Sequence, residues 1–492
     1  MISQLSATNA HRLASFISSS PTSYHAAATL AGLARYAGFT EQRDTAPFCG
    51  EPGVYFLVRG GAFLAWRIPE ARATHFRIVG SHTDSPSFKV KPNGTSEHAG
   101  FQQVDVEVYG GPLYNSWLNR ELGLAGRLVL RGGEERLVKL PACMIIPQLA
   151  PHLDRSVNKS LSLNPQTHLH PVLTQPLSGT LFGALAEAAG VAEADIMGHD
   201  ILAYPAEAPA LTGDFLGSSR QDNLTSVHAS FRAFLDALAH PGEQGEPFIP
   251  VLAAFDHEEI GSGTPSGAAG PILEMVLRRV ARAHGVDEEG LECMLAASTC
   301  VSSDAGHSIN PNYPEYYDPD QAPVAGRGAI LKINAQGRYA SDARSIAVLR
   351  EAFERADARL QPFISNNAVA CGTTIGPITA ARLGISTVDV GVPLLSMHSA
   401  REYSHADDLL ALRRGMAAFW GADVPVEDPS AADAVAGTGT RAGSADGTDE
   451  ARAATSSSEV REATATPAQN EAPHASDAPR SSAASTKGPQ HA

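Results

Sequence analysis

The chain has 492 residues and a formal net charge of −16. That length suffices for two domains, and the acidic balance argues against nucleic acid or an anionic membrane as a partner, because phosphate contacts need clustered Lys and Arg. There is no run of about 18 apolar residues, so no membrane-spanning helix is predicted. The five scattered cysteines (Cys49, Cys143, Cys293, Cys300, Cys371) predict neither a disulfide framework nor a thiolate zinc site. The opening "MISQLSATNAHRLASFISSS" lacks the charged and apolar regions of a secretory signal, and a reducing cytoplasm is the expected setting.

In chain order, "HFRIVGSH" (75–82) is a short apolar run that predicts a buried strand. The style changes at residues 92–213. There "VDVEV" alternates strictly, as a half-buried strand does, and "GRLVLRGGEERLVKL" predicts a hairpin with a glycine-rich turn. From Asp222 the apolar residues Leu224, Val227, Phe231, Phe234, Leu235 and Leu238 recur at helical spacing. "FIPVLAAF" (248–255), "STCVSSDA" (298–305) and "STVDVG" (386–391) predict further strands. "SHADDLLALRRGMAAFW" (404–420) predicts an amphipathic helix with Ser404 and Asp407 at capping-box spacing. Strands alternating with helices imply an α/β sheet covered on both faces. The predicted organisation is a catalytic α/β domain in two parts, 1–91 and 214–423, interrupted by a mainly β unit at 92–213. A tail at 424–492 is too poor in large apolar residues to offset its ordering entropy.

The chemically informative residues fall after predicted strands. "FDHEEIGS" places Glu258 and Glu259 side by side, where like charges repel unless a cation sits near them or they face water. "VGSHTDSPS" gives His82 and Asp84, which share one side of an extended chain, so that Asp84 can accept from the imidazole and fix its tautomer. Asp222 lies at a loop-to-helix junction, Asp304 follows one strand, and His398 follows another. Individually these residues read as a helix cap, a turn and a core histidine. Together they are imidazoles and carboxylates at strand C-terminal ends, where α/β sheets place ligands. Such donors suit zinc, manganese or cobalt. One carboxylate of the Glu pair then binds metal, and its neighbour takes a proton from the attacking water.

"SHTDSPSFKVKP", "RQDNL", "FDHEEIGS", "SSDAGHSINPNYPE", "CGTTIGPI" and "VDVGVPLLSMHSARE" occur in the order found in the aspartyl aminopeptidase family of dizinc metallopeptidases, which this chain resembles from about residue 20 to about residue 420. "SPTSYHAAATLAGLARYAGF" is similar to that family's first helix. The resemblance implies a zinc-peptidase-like α/β/α catalytic domain with an inserted β dimerisation domain. It implies two zinc ions per subunit, with manganese or cobalt as alternatives. Asp222 bridges them, His82 and Asp304 complete one site, and Glu259 and His398 complete the other. Glu258 is then the general base, Asp84 orients His82, and the Asp222–Asn223 peptide is cis. The implied substrates are peptides with a free N-terminal Asp or Glu, met by Lys332 with Tyr339 beside it. His168 enters the neighbouring subunit's active site, and the subunits form a homo-oligomer, a dodecamer built from dimers.

The match departs from the family pattern at Asn119 and Glu121, where two Asp are usual, at Asn310, where a His is common, and at Asn367, where an Asp is common. None of these is an implied ligand. They put side-chain preference in question more than chemistry, so an aminopeptidase for neutral residues stays open. A related dizinc carboxypeptidase or deacylase also stays open, since the ligand layout is shared. A non-enzymatic assembly protein fits poorly with an intact Glu258.

Overall fold

The computed structural model describes residues 2–177, 179–242 and 245–423, so the tail predicted from residue 424 lies outside the described residues. The chain opens with α1 (Gln4–Ser19) and α2 (Ser23–Tyr36), capped by the hydroxyls of Ser3 and Thr22. It then lays down β1 (Thr40–Glu41), β2 (Gly53–Arg59), β3 (Ala62–Ile68) and β4 (His75–His82). Next comes a separate run of strands: β5 (Ser87–His98), β6 (Phe101–Tyr109), β7 (Leu122–Leu130), β8 (Glu135–Ile145), β9 (Val172–Leu173), helix α3 (Leu181–Ala189) and β10 (Ile196–Pro205). The path back passes through β11 (Ala210–Thr212), β12 (Phe215–Ser218), α4 (Gln221–Ala239) and β13 (Phe248–Phe255). There follow α5 (Ile272–Ala283), α6 (Glu288–Ala297), β14 (Thr299–Ser303), β15 (Gly306–His307), β16 (Ala329–Ile333), α7 (Ala343–Arg355) and β17 (Leu360–Ile364). The last described elements are α8 (Ile375–Leu383), β18 (Ser386–Gly391), β19 (Pro393–Leu395), β20 (Glu402–His405) and α9 (Ala406–Phe419).

Among the described residues, nine strands form one mixed sheet in the order β1-β2-β3-β13-β4-β14-β18-β16-β17. Its centre is parallel: β4 pairs with β13 and with β14, and β14 pairs with β18. Parallel strands bury both faces and therefore read as unbroken apolar runs. That is why "FIPVLAAF" does not alternate. Leu252 and Ala254 point into a core roofed by α1, α2, α4, α7 and α9, while Val251, Ala253 and Phe255 point into one roofed by α5, α6 and α8. The α/β/α sandwich expected from the alternating pattern is therefore present. A smaller sheet, β11-β12-β20-β19-β15, lies beside it.

The β-rich unit closes on itself as a barrel in the order β10-β5-β6-β9-β8-β7, around a core containing Phe88, Val104, Val106, Leu124 and Leu128. The predicted hairpin is the β7–β8 pair, turning through Gly132 and Gly133 at φ of 91° and 88°. Pro92 does not open the unit; it lies inside β5, where the register shifts between Val90 and Thr95 and a residue without an N–H is tolerated. Barrel strands thus run from Ser87 to Pro205, and β11 belongs to the small sheet. The predicted cap of α9 also moves by one residue. Ser404 is held in β20 by pairing with Leu216, so His405 becomes the N-cap and accepts from the Asp407 N–H.

Candidate metal centre

Each candidate residue owes its place to a strand end or a helix start. His82 is the last residue of β4, in register with Phe255, the last of β13. The chain leaves β13 through His257 at φ 64°, which turns Glu258 and Glu259 back over the sheet. Asp304 directly follows β14, and Asp222 sits in the first turn of α4 beside the cis Asp222–Asn223 peptide. Asn223 ties these two regions together: its amide donates to the Ser303 carbonyl at 2.9 Å and accepts from the Ala305 N–H at 3.2 Å, so Asp304 is held between two fixed neighbours. His398, at φ 64°, lies on the turn between β19 and β20.

These residues converge. His82 Nε2 is 3.2 Å from Asp304 Oδ1 and 3.4 Å from Asp222 Oδ1. The other oxygen of the same carboxylate, Asp222 Oδ2, is 3.3 Å from His398 Nε2, which also lies 3.7 Å from Glu259 Oε2. Two groups with donor atoms close enough to hold an ion, His82–Asp222–Asp304 and Asp222–Glu259–His398, therefore share Asp222. A third, His82–Glu258–Glu259, brings in Glu258 more loosely, with Oε2 at 3.9 Å from His82 Nε2. The Glu258 side chain keeps 17% of its surface exposed, against 5% for Glu259.

Asp84 does more than the sequence suggested. Its Oδ1 lies 3.3 Å from His82 Nδ1, and its main-chain carbonyl lies 3.2 Å from the same nitrogen. The same carboxylate accepts the Glu258 N–H at 3.0 Å and the Glu259 N–H at 3.1 Å, so one residue fixes both the imidazole and the Glu–Glu turn. Glu402 was missed. Almost wholly buried at the start of β20, it accepts the Asp222 N–H at 3.0 Å and the His398 N–H at 2.7 Å. The only hint in the sequence was an acidic residue inside a short strand.

The electrostatics ask for a cation. Burial pushes the Glu258 carboxyl up to about 7, and Asp304, Asp222 and Asp84 push the same way against His82. Burial and the Asp222 charge raise Glu259 well above its ordinary value, and they raise Glu402 to about 8. Burial alone lowers His82, but the carboxylates of Asp222, Asp304 and Asp84 reverse the sign and hold it well above its ordinary value. Asp222 Oδ1 and Glu259 Oε1 are buried with no hydrogen-bond partner among the described residues. Unpaired buried acceptors and mutually repelling carboxylates beside imidazoles fit divalent ions that take nitrogen and oxygen donors.

Lys332 and Tyr339 adjoin this cluster. Lys332 is 2% exposed, so it is not a solvated strand residue; its ammonium donates to the Ala305 carbonyl at 2.7 Å and to Asp304 Oδ2 at 3.3 Å, and lies 5.4 Å from the Tyr339 ring centre. His168 is not brought to the cluster within this chain. It lies exposed on the long loop between β8 and β9, where its Nδ1 accepts from the Asn164 N–H.

The family model described as aminopeptidase I zinc metalloprotease (M18) matches residues 16–420. A probable M18 family aminopeptidase 2 of Streptomyces coelicolor is 47% identical over 417 residues, which cover 83% of this chain and 96% of that one. A chain of the solved Ape4 and Nbr1 complex superposes with a TM-score of 0.81 at 31% identity, covering 85% of this chain and 86% of that chain. The S. cerevisiae mApe1 dodecamer gives 0.73 at 26% identity, covering 83% and 95%. With its matched span and its fold in agreement, the chain belongs to the M18 family of zinc aminopeptidases and is a peptide-bond hydrolase.

Proposed function

We propose that this enzyme removes N-terminal residues, preferentially Asp or Glu, at a centre of two zinc ions bridged by Asp222. The observation that carries the reading is the way the two oxygens of Asp222 face two different imidazoles, at 3.4 and 3.3 Å. His82 and Asp304 would hold one ion, and Glu259 and His398 the other. When bound, zinc lowers the pKa of water from 15.7 towards about 7 and polarises the scissile carbonyl.

The chain's own residues supply the rest. Glu258, the more exposed of the Glu pair, takes the proton of the attacking water on its carboxylate and returns it to the leaving amine; such a positioned acid/base contributes roughly 10²–10⁴-fold. Asp84 holds the Glu258 N–H, which keeps that carboxylate aimed while its charge changes. The acidic rim receives the substrate's protonated α-amine, which limits cleavage to the first residue. Two contacts within the chain engage the Lys332 ammonium, which has three donors. Its remaining N–H is offered to the carboxylate of an acidic first residue, with Tyr339 lining the same wall.

By likeness to the mApe1 dodecamer, the subunits assemble as a dodecamer; the same proposal builds it from dimers, with the barrel as dimerisation unit and His168 completing the neighbour's site. A reducing, cytoplasmic setting is part of the same proposal. The test is a panel of Asp-, Glu- and Leu-linked chromogenic substrates, free and N-blocked, with wild type and Lys332→Met. The proposal expects cleavage of free substrates only, Asp and Glu ahead of Leu, and a KM rise confined to the acidic pair in the variant. Equal losses on all three would assign Lys332 to holding Asp304 instead. Cleavage of the blocked peptides would remove the free-amine requirement.

A further inference from the structure

The barrel reaches into the metal centre of its own chain. Residues 109–116, at the exit from β6, touch both imidazoles' supports. The Tyr109 hydroxyl donates to Asp84 Oδ2 at 2.8 Å, on the carboxylate whose other oxygen faces His82. Two residues on, the Gly111 carbonyl accepts from His398 Nδ1 at 3.0 Å, and the Leu113 N–H donates to the His398 carbonyl at 2.9 Å. The Ser116 hydroxyl accepts from the Ala400 N–H at 2.8 Å. This segment is rooted in the barrel: Trp117 is 3% exposed and meets Phe88 edge to face at 5.0 Å, and Ala400 packs into the same barrel core.

We propose that residues 109–116 are a positioning arm through which the barrel sets the orientation of both candidate metal-binding histidines in cis, with Tyr109 acting on His82 through Asp84. The inference rests on the metal-centre reading above. Its physical basis is that an imidazole binds metal well only when its other nitrogen is fixed, and outer contacts of this kind change affinity by about 10- to 100-fold. The arm supplies the acceptor for His398 directly and steadies Asp84, whose main-chain carbonyl and carboxylate both face His82 Nδ1. Backbone shape is part of the device. Gly110 has φ 70°, which favours glycine, and a Cβ there would stand 3.1 Å from the Glu259 Cβ, so a side chain would press Glu259 or the arm aside by a few tenths of an ångström.

Two variants separate the arm's halves. Tyr109→Phe keeps the ring and removes the hydroxyl. Gly110→Ala presses on Glu259 instead. Stepwise zinc titration against a competing chelator is the readout, with melting of the zinc-free protein as a control for general loosening. We expect Tyr109→Phe to weaken the zinc step that uses His82 about 10-fold and the other step less, through the Glu259 N–H that Asp84 also holds, and Gly110→Ala to act mainly on the Glu259 step. In an Asp84→Ala background, Tyr109→Phe should add nothing, because the side-chain acceptor of its hydroxyl is gone. Equal weakening of both steps, a full additive effect in that background, or wild-type zinc binding by Tyr109→Phe each overturns the proposal. A wild type that binds no zinc at these residues would instead overturn the reading on which it rests.

Discussion

Glu402 offers a demanding test because nothing marked it in the sequence and it touches no proposed substrate. Its two carboxylate oxygens receive the backbone N–H groups of Asp222 and His398, one from the proposed bridge and one from a proposed terminal ligand. Glu402→Gln keeps the shape but offers one acceptor oxygen; the amide nitrogen faces the other N–H as a donor. A buried donor left unpaired costs about 1–3 kcal/mol, and 1.4 kcal/mol is a factor of about 10. In the metal-free protein burial and the Asp222 charge disfavour ionised Glu402 and hold it up to about 8, so a neutral amide there offsets part of that cost. With zinc bound the offset fades. The variant should therefore bind zinc roughly 5- to 100-fold more weakly, by chelator competition, while the zinc-free proteins melt at similar temperatures. Unchanged zinc affinity and unchanged kcat in Glu402→Gln would refute the claim that this carboxylate holds the two ligands in place.

Three further outcomes follow from the geometry. Glu258→Gln should retain zinc and lose nearly all turnover, whereas Glu259→Ala should lose zinc from the His398 side; metal analysis of both purified variants decides, and zinc loss in Glu258→Gln would contradict its role as base. Buried His228 is held well below its ordinary value by burial and by the charges of Arg232, Arg413 and Arg12, so the unfolded chain binds the extra proton. Its contribution is intact above about pH 6.5 and is lost as pH falls below that, by up to about 1.4 kcal/mol per pH unit. Denaturant melts from pH 7.5 to 5 should show a smaller acid-side loss in His228→Phe, and parallel curves would exclude the effect. Mixing inactive Glu258→Gln with His168→Ala subunits should regenerate mixed sites with activity above either parent; no recovery in confirmed mixed oligomers would argue against His168 acting in a neighbour.

The central part of this fold was legible because parallel strands announce themselves. "HFRIVGSH" and "FIPVLAAF" are buried on both faces, and the polar residues directly after them had little reason to be there except a site. His82, Glu258, Glu259 and Asp304 were found that way. The outer contacts were not legible, because they depend on tertiary closure. Tyr109 reads as the last residue of an alternating strand, and Glu402 as an ordinary strand-edge acid, until the barrel and the small sheet bring them to Asp84 and Asp222. The Ser404 cap failed for a related reason: a local capping pattern lost to a strand ladder with β12. Pro92 misled as a boundary because an irregular strand can absorb a proline that a regular central strand cannot.

The most direct test of the paired centre is zinc stoichiometry, read by mass spectrometry of the purified enzyme and located by anomalous scattering, in wild type and Asp222→Ala. Two zinc ions per chain on either side of Asp222, with both sites depleted in the variant, is the predicted result. One zinc per fully active chain, or two zinc ions retained without Asp222, would contradict it.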